Sequence, residues 1–234
     1  MNESVLSAAA AKIPEGGPPS QFYIPATESL SELSTRTLKH GDTFGIFDRY
    51  GDIIPRLGSP EGLYHNDTRY LSCLRLLVNG MRPLYLSSKV EDNNAALTVD
   101  LTNPDLVESG RFTLQRDIVH IVRYKFLWQG ACYEHLGLPN YDNKDFQIDL
   151  AILFAADFAD IFEVRGQNRA QHGKRRFQHS TERATISYEG LDGVLRRTIL
   201  SFDPPPAKLR GDKVLYRLSL ANGGCASSGL PGHP

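Results

Sequence analysis

The stretch EGLYHNDTRYLS, residues 61–72, holds the polar side chains that first suggest chemistry. His65, Asp67 and Arg69 occupy alternate positions in it. If residues 63–72 form one extended strand, these three side chains share a face. A histidine beside a carboxylate can perform acid–base chemistry, and carboxylate and guanidinium groups can bind sugar hydroxyls through charge-assisted hydrogen bonds.

Three uses of this trio are open from the sequence. The interpretation that we favour is a polar network that fixes the mouth of the hairpin that follows, since ion pairs of this kind are common in folded proteins. The second is a surface that faces sugar hydroxyls or a partner domain, with Tyr64 and Tyr70 supplying flat apolar faces for a sugar ring. The third is catalysis, although no obvious nucleophile stands beside the His–Asp pair.

A second acidic group lies in FAADFADIFEVRG, residues 154–166. Asp157, Asp160 and Glu163 are spaced i, i+3 and i+6, so a helix would bring them near one face. Glycoside hydrolysis needs two carboxyl groups ~5–10 Å apart across the scissile bond, and this group is the best local candidate for such a pair. The alternative that we favour is a set of acidic residues at the end of a strand, with Arg165 pairing with one of them.

Charge and cysteine content exclude several classes of protein. The chain has 26 Lys plus Arg and 27 Asp plus Glu, so we expect no nucleic-acid partner, and the basic stretch 172–183 is predicted to be a solvated loop. Cys73, Cys132 and Cys225 are far apart and lack metal-ligand spacing, which predicts neither a disulfide framework nor a zinc site. No loop has EF-hand spacing, and we expect no metal and no cofactor.

The sequence also predicts a cytoplasmic location without membrane contact. Residues 1–20 lack the basic and apolar regions of a secretory signal. No apolar run approaches the ~18 residues that a membrane span needs. Three widely spaced cysteines fit a reducing compartment.

Strand patterns dominate the chain from residue 42 onward. Asn79-Gly80 is the strongest hairpin signal, because both residue types tolerate the positive φ angles of a type I′ turn. Phe126 and Trp128 share a face beside a second turn, Gln129-Gly130; we favour the core for both, and a sugar platform is the alternative. The predicted strands are 42–48, 95–103, 145–157 and 213–220, and the predicted hairpins are 70–88, 117–138 and 183–202.

Successive long hairpins with few helices predict an all-β fold, a large antiparallel β-sandwich. Helical periodicity is confined to residues 28–34 and 157–163. We expect residues 1–21 to be disordered, 22–220 to form the β domain, and 221–234 to be a disordered tail. The Gly/Ser/Pro-rich end after a good strand suggests a chain that is cut short.

Four segments in order resemble a known family: FYIPATESL with LKHGDTFGIFDRYGDI, EGLYHNDTRYLSCLRLLVNGMRPLYLSS, NAALTVDLTNPDL, and FLWQGACYEHLGLPNY running on to FAADFADIFEVRG. Together they look like the N-terminal module of bacterial and archaeal glycogen-debranching, amylo-α-1,6-glucosidase-type proteins. The resemblance implies an all-β supersandwich that precedes an α/α barrel, and the barrel carries the glycosidase carboxylates. This chain contains no such barrel.

Three functions follow as hypotheses. The first is a non-catalytic module that packs on an α/α-barrel glycosidase and shapes its substrate cleft in carbohydrate metabolism. The second is a free-standing protein that binds α-glucan oligosaccharides. The third is a small acid–base enzyme that uses Asp157 with Glu163, or His65 with Asp67.

Overall fold

The structure is a computed structural model that describes residues 34–56, 59–108 and 111–230. These residues form strands and one single-turn helix. In chain order the elements are β1 (Arg36–His40), β2 (Thr43–Phe47), β3 (Gly62–His65), β4 (Thr68–Leu71), β5 (Cys73–Val78), β6 (Leu84–Val90), β7 (Ala96–Thr102), β8 (Leu106–Glu108), β9 (Arg111–Leu114), β10 (His120–Trp128), β11 (Ala131–Pro139), β12 (Phe146–Ala155), α1 (Ile161–Val164), β13 (Lys174–His179), β14 (Arg183–Glu189), β15 (Leu195–Ser201), β16 (Lys208–Arg210), β17 (Lys213–Leu220) and β18 (Cys225–Leu230).

The described strands pair in an antiparallel manner into five sheets. Their orders are β1-β2-β3-β4, β18-β11-β10-β7-β6, β16-β17-β12-β5, β13-β14-β15 and β8-β9. The prediction of an all-β, antiparallel fold is therefore confirmed. Its finer part, one large two-layer sandwich, stays a prediction.

The core forms where period-two strands bury one face. In β12, Ile148, Leu150, Ile152 and Phe154 are all buried, as their alternation predicts. Residues from β5, β12 and β17 join residues from β7, β10 and β11 in the same hydrophobic cluster. The five-stranded sheet and the sheet β16-β17-β12-β5 therefore share a core.

Two of the three predicted hairpins form, and the one with the strongest turn signal does not. The β10–β11 hairpin turns at Gln129 and Gly130, with φ of 46° and 78°, and β14 pairs with β15. Asn79 and Gly80 also have positive φ, but β5 pairs with β12 and β6 pairs with β7. Pro83 explains the difference, because it cannot donate to a ladder between β5 and β6 just after the turn.

Three further predictions need correction. The basic stretch 172–183 contains the edge strand β13, and its exposed side chains suit an edge that faces water. The predicted tail 221–234 contains β18, which pairs with β11. The predicted helix 157–163 is reduced to the single turn α1, which ends near Gly166 with a φ of 101°.

Two regions of the sequence prediction lie outside the described residues: the disordered segment 1–21, and residues 28–33 of the helical pattern 28–34. Among the residues that are described, no helix has both the length and the apolar character needed to cross a membrane.

Candidate functional site

The stretch of residues 61–72 folds as a tight hairpin and not as one strand. β3 ends at His65, β4 begins at Thr68, and Asn66 and Asp67 between them have φ of 45° and 62°. Asn and Asp tolerate this left-handed conformation, so the two residues can form the turn. The expectation that alternate residues share one face is therefore wrong here, and Asp67 is exposed at the tip of the turn.

His65 and the two tyrosines contact neighbours that the sequence did not predict. His65 Nδ1 lies 2.9 Å from Thr43 Oγ1 across the β2–β3 pair. Tyr64 stacks on Phe44 with ring centroids 4.7 Å apart, and burial raises the pKa of its hydroxyl. Tyr70 packs its ring edge-on against His65 at 6.3 Å.

Arg69 joins the two polar segments, residues 61–72 and residues 154–166. Its Nε donates to both carboxylate oxygens of Asp157, at 3.2 and 3.1 Å, and Nη2 contacts the same carboxylate. Burial works to lower the pKa of Arg69, but Asp157 outweighs burial and raises it. The pair fastens the β3–β4 hairpin to the chain segment that follows β12.

The other two carboxylates face separate partners. Asp160 caps α1 by accepting hydrogen bonds from its first N–H groups and also pairs with Arg169. Glu163 Oε1 lies 2.7 Å from His172 Nε2. The expectation that Asp157, Asp160 and Glu163 share a helix face is wrong, because α1 begins only at residue 161. Within the described residues, the partners of the three carboxylates are Arg69, Arg169 and His172, and not Arg165 as expected.

A cleft of about 1270 Å³ opens between the β3–β4 hairpin, the β10–β11 turn and β15. Thr198 of β15 donates its hydroxyl to the carbonyl oxygen of Tyr70 at 2.5 Å, which joins β15 to β4 at the edge of the cleft. Three of the predicted site residues, Tyr64, His65 and Tyr70, line this cleft. The polar and aromatic lining includes Thr43, Tyr64, His65, Tyr70, Glu134, Glu182, Arg183, Arg197, Thr198 and Asp203.

The chemistry of this lining suits a neutral polar ligand. Guanidinium groups can donate hydrogen bonds to sugar hydroxyls, carboxylates can accept them, and hydroxyl and imidazole groups can do both. The cleft lining does not include the other predicted site residues: Asp67, Arg69, Asp157, Asp160, Glu163 and Arg165. In the described part of the chain, no group of three His, Cys, Asp or Glu side chains is placed to hold a metal ion.

Four charged side chains that sequence spacing did not reveal are buried together, and we call them the inner ion cluster: Asp52, Arg123, Lys125 and Glu134. Arg123 Nη1 lies 2.5 Å from Asp52 Oδ1, and its Nε lies 2.7 Å from Glu134 Oε1. Lys125 Nζ lies 2.5 Å from Glu134 Oε2, so each oxygen of this carboxylate contacts a buried basic side chain.

Burial and charge act against each other in this cluster. Burial works to raise the pKa of Glu134, but Arg123 and Lys125 outweigh it and lower the pKa to about 2. Burial lowers the pKa of Lys125, and Glu134 opposes this shift. For Asp52 burial dominates and raises the pKa, although Arg123 opposes it. Glu134 also lines the cleft, so the cluster contacts the cleft through this residue.

The turn DRYGD, residues 48–52, brings Asp52 into the cluster. Asp48 Oδ1 accepts hydrogen bonds from the backbone N–H groups of Tyr50 and Asp52, each at 2.9 Å. Gly51 has a φ of 76°, and a Cβ there would lie 3.2 Å from Lys125 Cε. A glycine is therefore needed for both the turn and its close approach to β10.

The prediction that Phe126 and Trp128 lie in the core is wrong. Trp128 is 52% exposed, and Phe126 is half-buried on the same outer face of β10. The opposite face of β10 carries Arg123 and Lys125 into the interior, where carboxylates neutralise them. These charged side chains can be buried because each is paired with a carboxylate.

Comparisons with known proteins place the chain in a family. A solved structure named "Putative kojibiose phosphorylase from human microbiome" is similar to it at 9% identity and a TM-score of 0.48. That match covers 86% of this chain and 30% of the other, so this chain spans less than a third of that protein. No curated protein matches the sequence. A family model matches residues 38–230, and the chain belongs to the family described as the N-terminal domain of (some) glycogen debranching enzymes.

Proposed function

We propose that this chain is a non-catalytic β-sandwich module that packs on an α/α-barrel glycosidase of the glycogen-debranching type and helps to shape its substrate cleft. The observation that carries the proposal is the family match over residues 38–230, nearly all of the described chain. The supersandwich arrangement of the sheets belongs to the same proposal.

The partners of the three acidic side chains of residues 154–166 support a non-catalytic role for that group. Hydrolysis of a glycosidic bond needs a protonated acid and a second carboxylate facing the same bond. Asp157, Asp160 and Glu163 instead pair with Arg69, Arg169 and His172. Each of these carboxylates therefore contacts a different basic side chain, and not a shared substrate site.

The cleft supports a role in substrate binding. It is lined by polar groups of both signs together with aromatic rings, a composition suited to sugar. A barrel seated over this opening would cover it, and the two domains together would surround a glucan chain.

The test is assembly and kinetics with a separately produced α/α barrel from the same kind of protein. We expect the two chains to co-elute on size-exclusion chromatography, and the barrel's KM for a branched α-glucan to fall when this chain is added. His65→Ala and Arg197→Ala, both in the cleft, should weaken that effect on KM. Arg217→Ala is the control, because Arg217 is exposed and pairs with Asp149 away from the cleft. Failure to co-elute, with an unchanged KM, would refute the proposal.

The second hypothesis, an α-glucan-binding protein that acts by itself, makes a different prediction for the same materials. This chain alone would bind the sugar, and the kinetics of the barrel would not depend on it. The exposed aromatic side chains of β10, Tyr124 and Trp128, favour this hypothesis because aromatic rings can contact sugar.

A further inference from the structure

The outer face of the β10–β11 hairpin carries a row of aromatic rings outside the cleft. We call this row the outer aromatic strip: Tyr124, Phe126, Trp128, Tyr133 and His40. Strand alternation points the first three away from the core, because Arg123, Lys125 and Leu127 point inward. Trp128 and Tyr124 are 52% and 37% exposed.

The rings of the strip are close and partly parallel. Phe126 lies opposite Tyr133 in the β10–β11 register, and their rings stack 4.8 Å apart with planes 5° from parallel. Tyr124 lies 6.0 Å from Phe126, and His40 lies 4.8 Å from Trp128. The rings thus follow β10 to its end and continue onto the β1–β2 hairpin.

The neighbours of the strip are small or polar. Tyr124 lies opposite Thr98 on β7 and His135 on β11, and Trp128 lies opposite Ala131. The fully buried centre of a protein–protein interface is more apolar than the rest of the surface, and the small and polar neighbours of the strip do not form such a centre. Flat rings with hydroxyl and imidazole groups at their margins suit a pyranose, which has apolar C–H faces and a polar rim.

The strip also begins at the cleft. Gly130, in the turn that follows Trp128, and Ala131, at the start of β11, line the cleft. A polymer that extends past this turn would therefore meet the strip. On these grounds we propose that the outer aromatic strip binds a run of glucose residues of an α-glucan chain, as a second sugar site continuous with the cleft. This inference rests on the proposed function for the identity of the sugar.

Trp128 makes the proposal directly testable, because it is the single tryptophan of the chain. We expect maltoheptaose to change the tryptophan fluorescence of this chain in a saturable manner, and cellohexaose to change it much less. A flat titration with maltoheptaose would overturn the proposal. An equal response to cellohexaose would overturn the assignment to α-linked glucan.

Variants locate the site. Tyr133→Ala and Phe126→Ala keep the reporter, and each should weaken binding by roughly tenfold, the effect of losing one aromatic contact. Tyr141→Ala is the matched control, since Tyr141 is 73% exposed and stacks on His120 at the far end of β10. Thermal unfolding would confirm that each variant is folded. Equal affinity in all three variants would overturn the proposal.

The outcome is separable from that of the proposed function. Saturable binding without co-elution of the barrel would refute the proposed module and leave the strip as a sugar site. Co-elution with a flat titration would do the reverse. If adding the barrel changes Trp128 fluorescence while sugar does not, the strip is a domain contact and the inference is wrong.

Discussion

At the scale of single residues, the role of a side chain depends on a partner far along the chain. Arg69 and Asp157 are 88 positions apart, and each belonged to a separate predicted cluster. The sequence suggested the neighbours Asp67 and Arg165 as partners. In the fold, the backbone turns at Asp67, and Arg165 lies just after the end of α1. The residue types indicated that these side chains would form ion pairs. Their spacing in the sequence did not indicate which residues would pair.

The Arg69–Asp157 pair predicts a measurable loss of stability. Asp157→Asn should lower the free energy of unfolding by about 1.5–3 kcal/mol, because it removes the charge from a partly buried, hydrogen-bonded pair. The side chains of Arg69 and Asp157 are 15% and 31% exposed. Urea denaturation of both proteins would measure the change.

The control is an ion pair of the same residue types at the surface. Asp149→Asn removes the partner of Arg217, whose side chain is 66% exposed. We expect no measurable change there, since exposed pairs contribute little. If both substitutions have the same effect, the Arg69–Asp157 pair does not anchor the hairpin.

At the scale of elements, the β10–β11 hairpin shows what pattern alone can predict. Gln129-Gly130 located the turn, and both strands and their register follow from it. The choice of buried face did not follow, because hydrophobicity favours the side with Tyr124, Phe126 and Trp128. Charges on the opposite side became buried only because Asp52, from an unrelated turn, and Glu134 neutralise them.

Breaking the inner ion cluster should be costly. Glu134→Gln leaves Arg123 and Lys125 buried without their shared carboxylate, so we expect the free energy of unfolding to fall by roughly 3–5 kcal/mol. His135→Ala in the same strand is the control, because its side chain points outward and is exposed. Chemical denaturation compares the two. A loss as small as that of the control would mean that the cluster relaxes into water.

The same carboxylate predicts how stability depends on pH. The pKa of Glu134 is about 2 in the fold, against an ordinary value of 4.5, so the unfolded chain binds this proton first as pH falls. Its stabilisation is complete above about pH 4.5 and is lost as pH falls towards 2, at up to about 1.4 kcal/mol per pH unit.

Asp52 acts in the opposite direction in acid, since burial raises its pKa. The contribution of Glu134 is therefore best measured as a difference between proteins. Denaturation midpoints between pH 5 and 3 should fall more steeply for the natural sequence than for Glu134→Gln. Parallel profiles would show that Glu134 titrates normally in the fold.

At the scale of the whole molecule, the β10–β11 hairpin connects three features. Its inner face holds the ion cluster, its outer face holds the aromatic strip, and its turn lines the cleft. The N-terminal sheet supplies His65 and Thr43 to one wall, and β15 supplies Thr198 to another. The strand patterns and the family resemblance both predicted an all-β fold. The convergence of these features depends on contacts between distant segments and could not be predicted from the pattern.

The edge of this hairpin leads to the last prediction. β18 pairs with β11 from Glu134–Leu230 to Pro139–Cys225 and so covers the backbone groups on one side of β11. A chain ending at Gly224 would leave them unpaired, and a long unpaired edge recruits other strands. We expect this truncation to lower the thermal midpoint and to associate with rising concentration in light scattering. A chain ending at Leu230 retains β18 and should stay monomeric under the same conditions. If both chains behave alike, β18 does not close the sheet, and the domain boundary lies near Leu220.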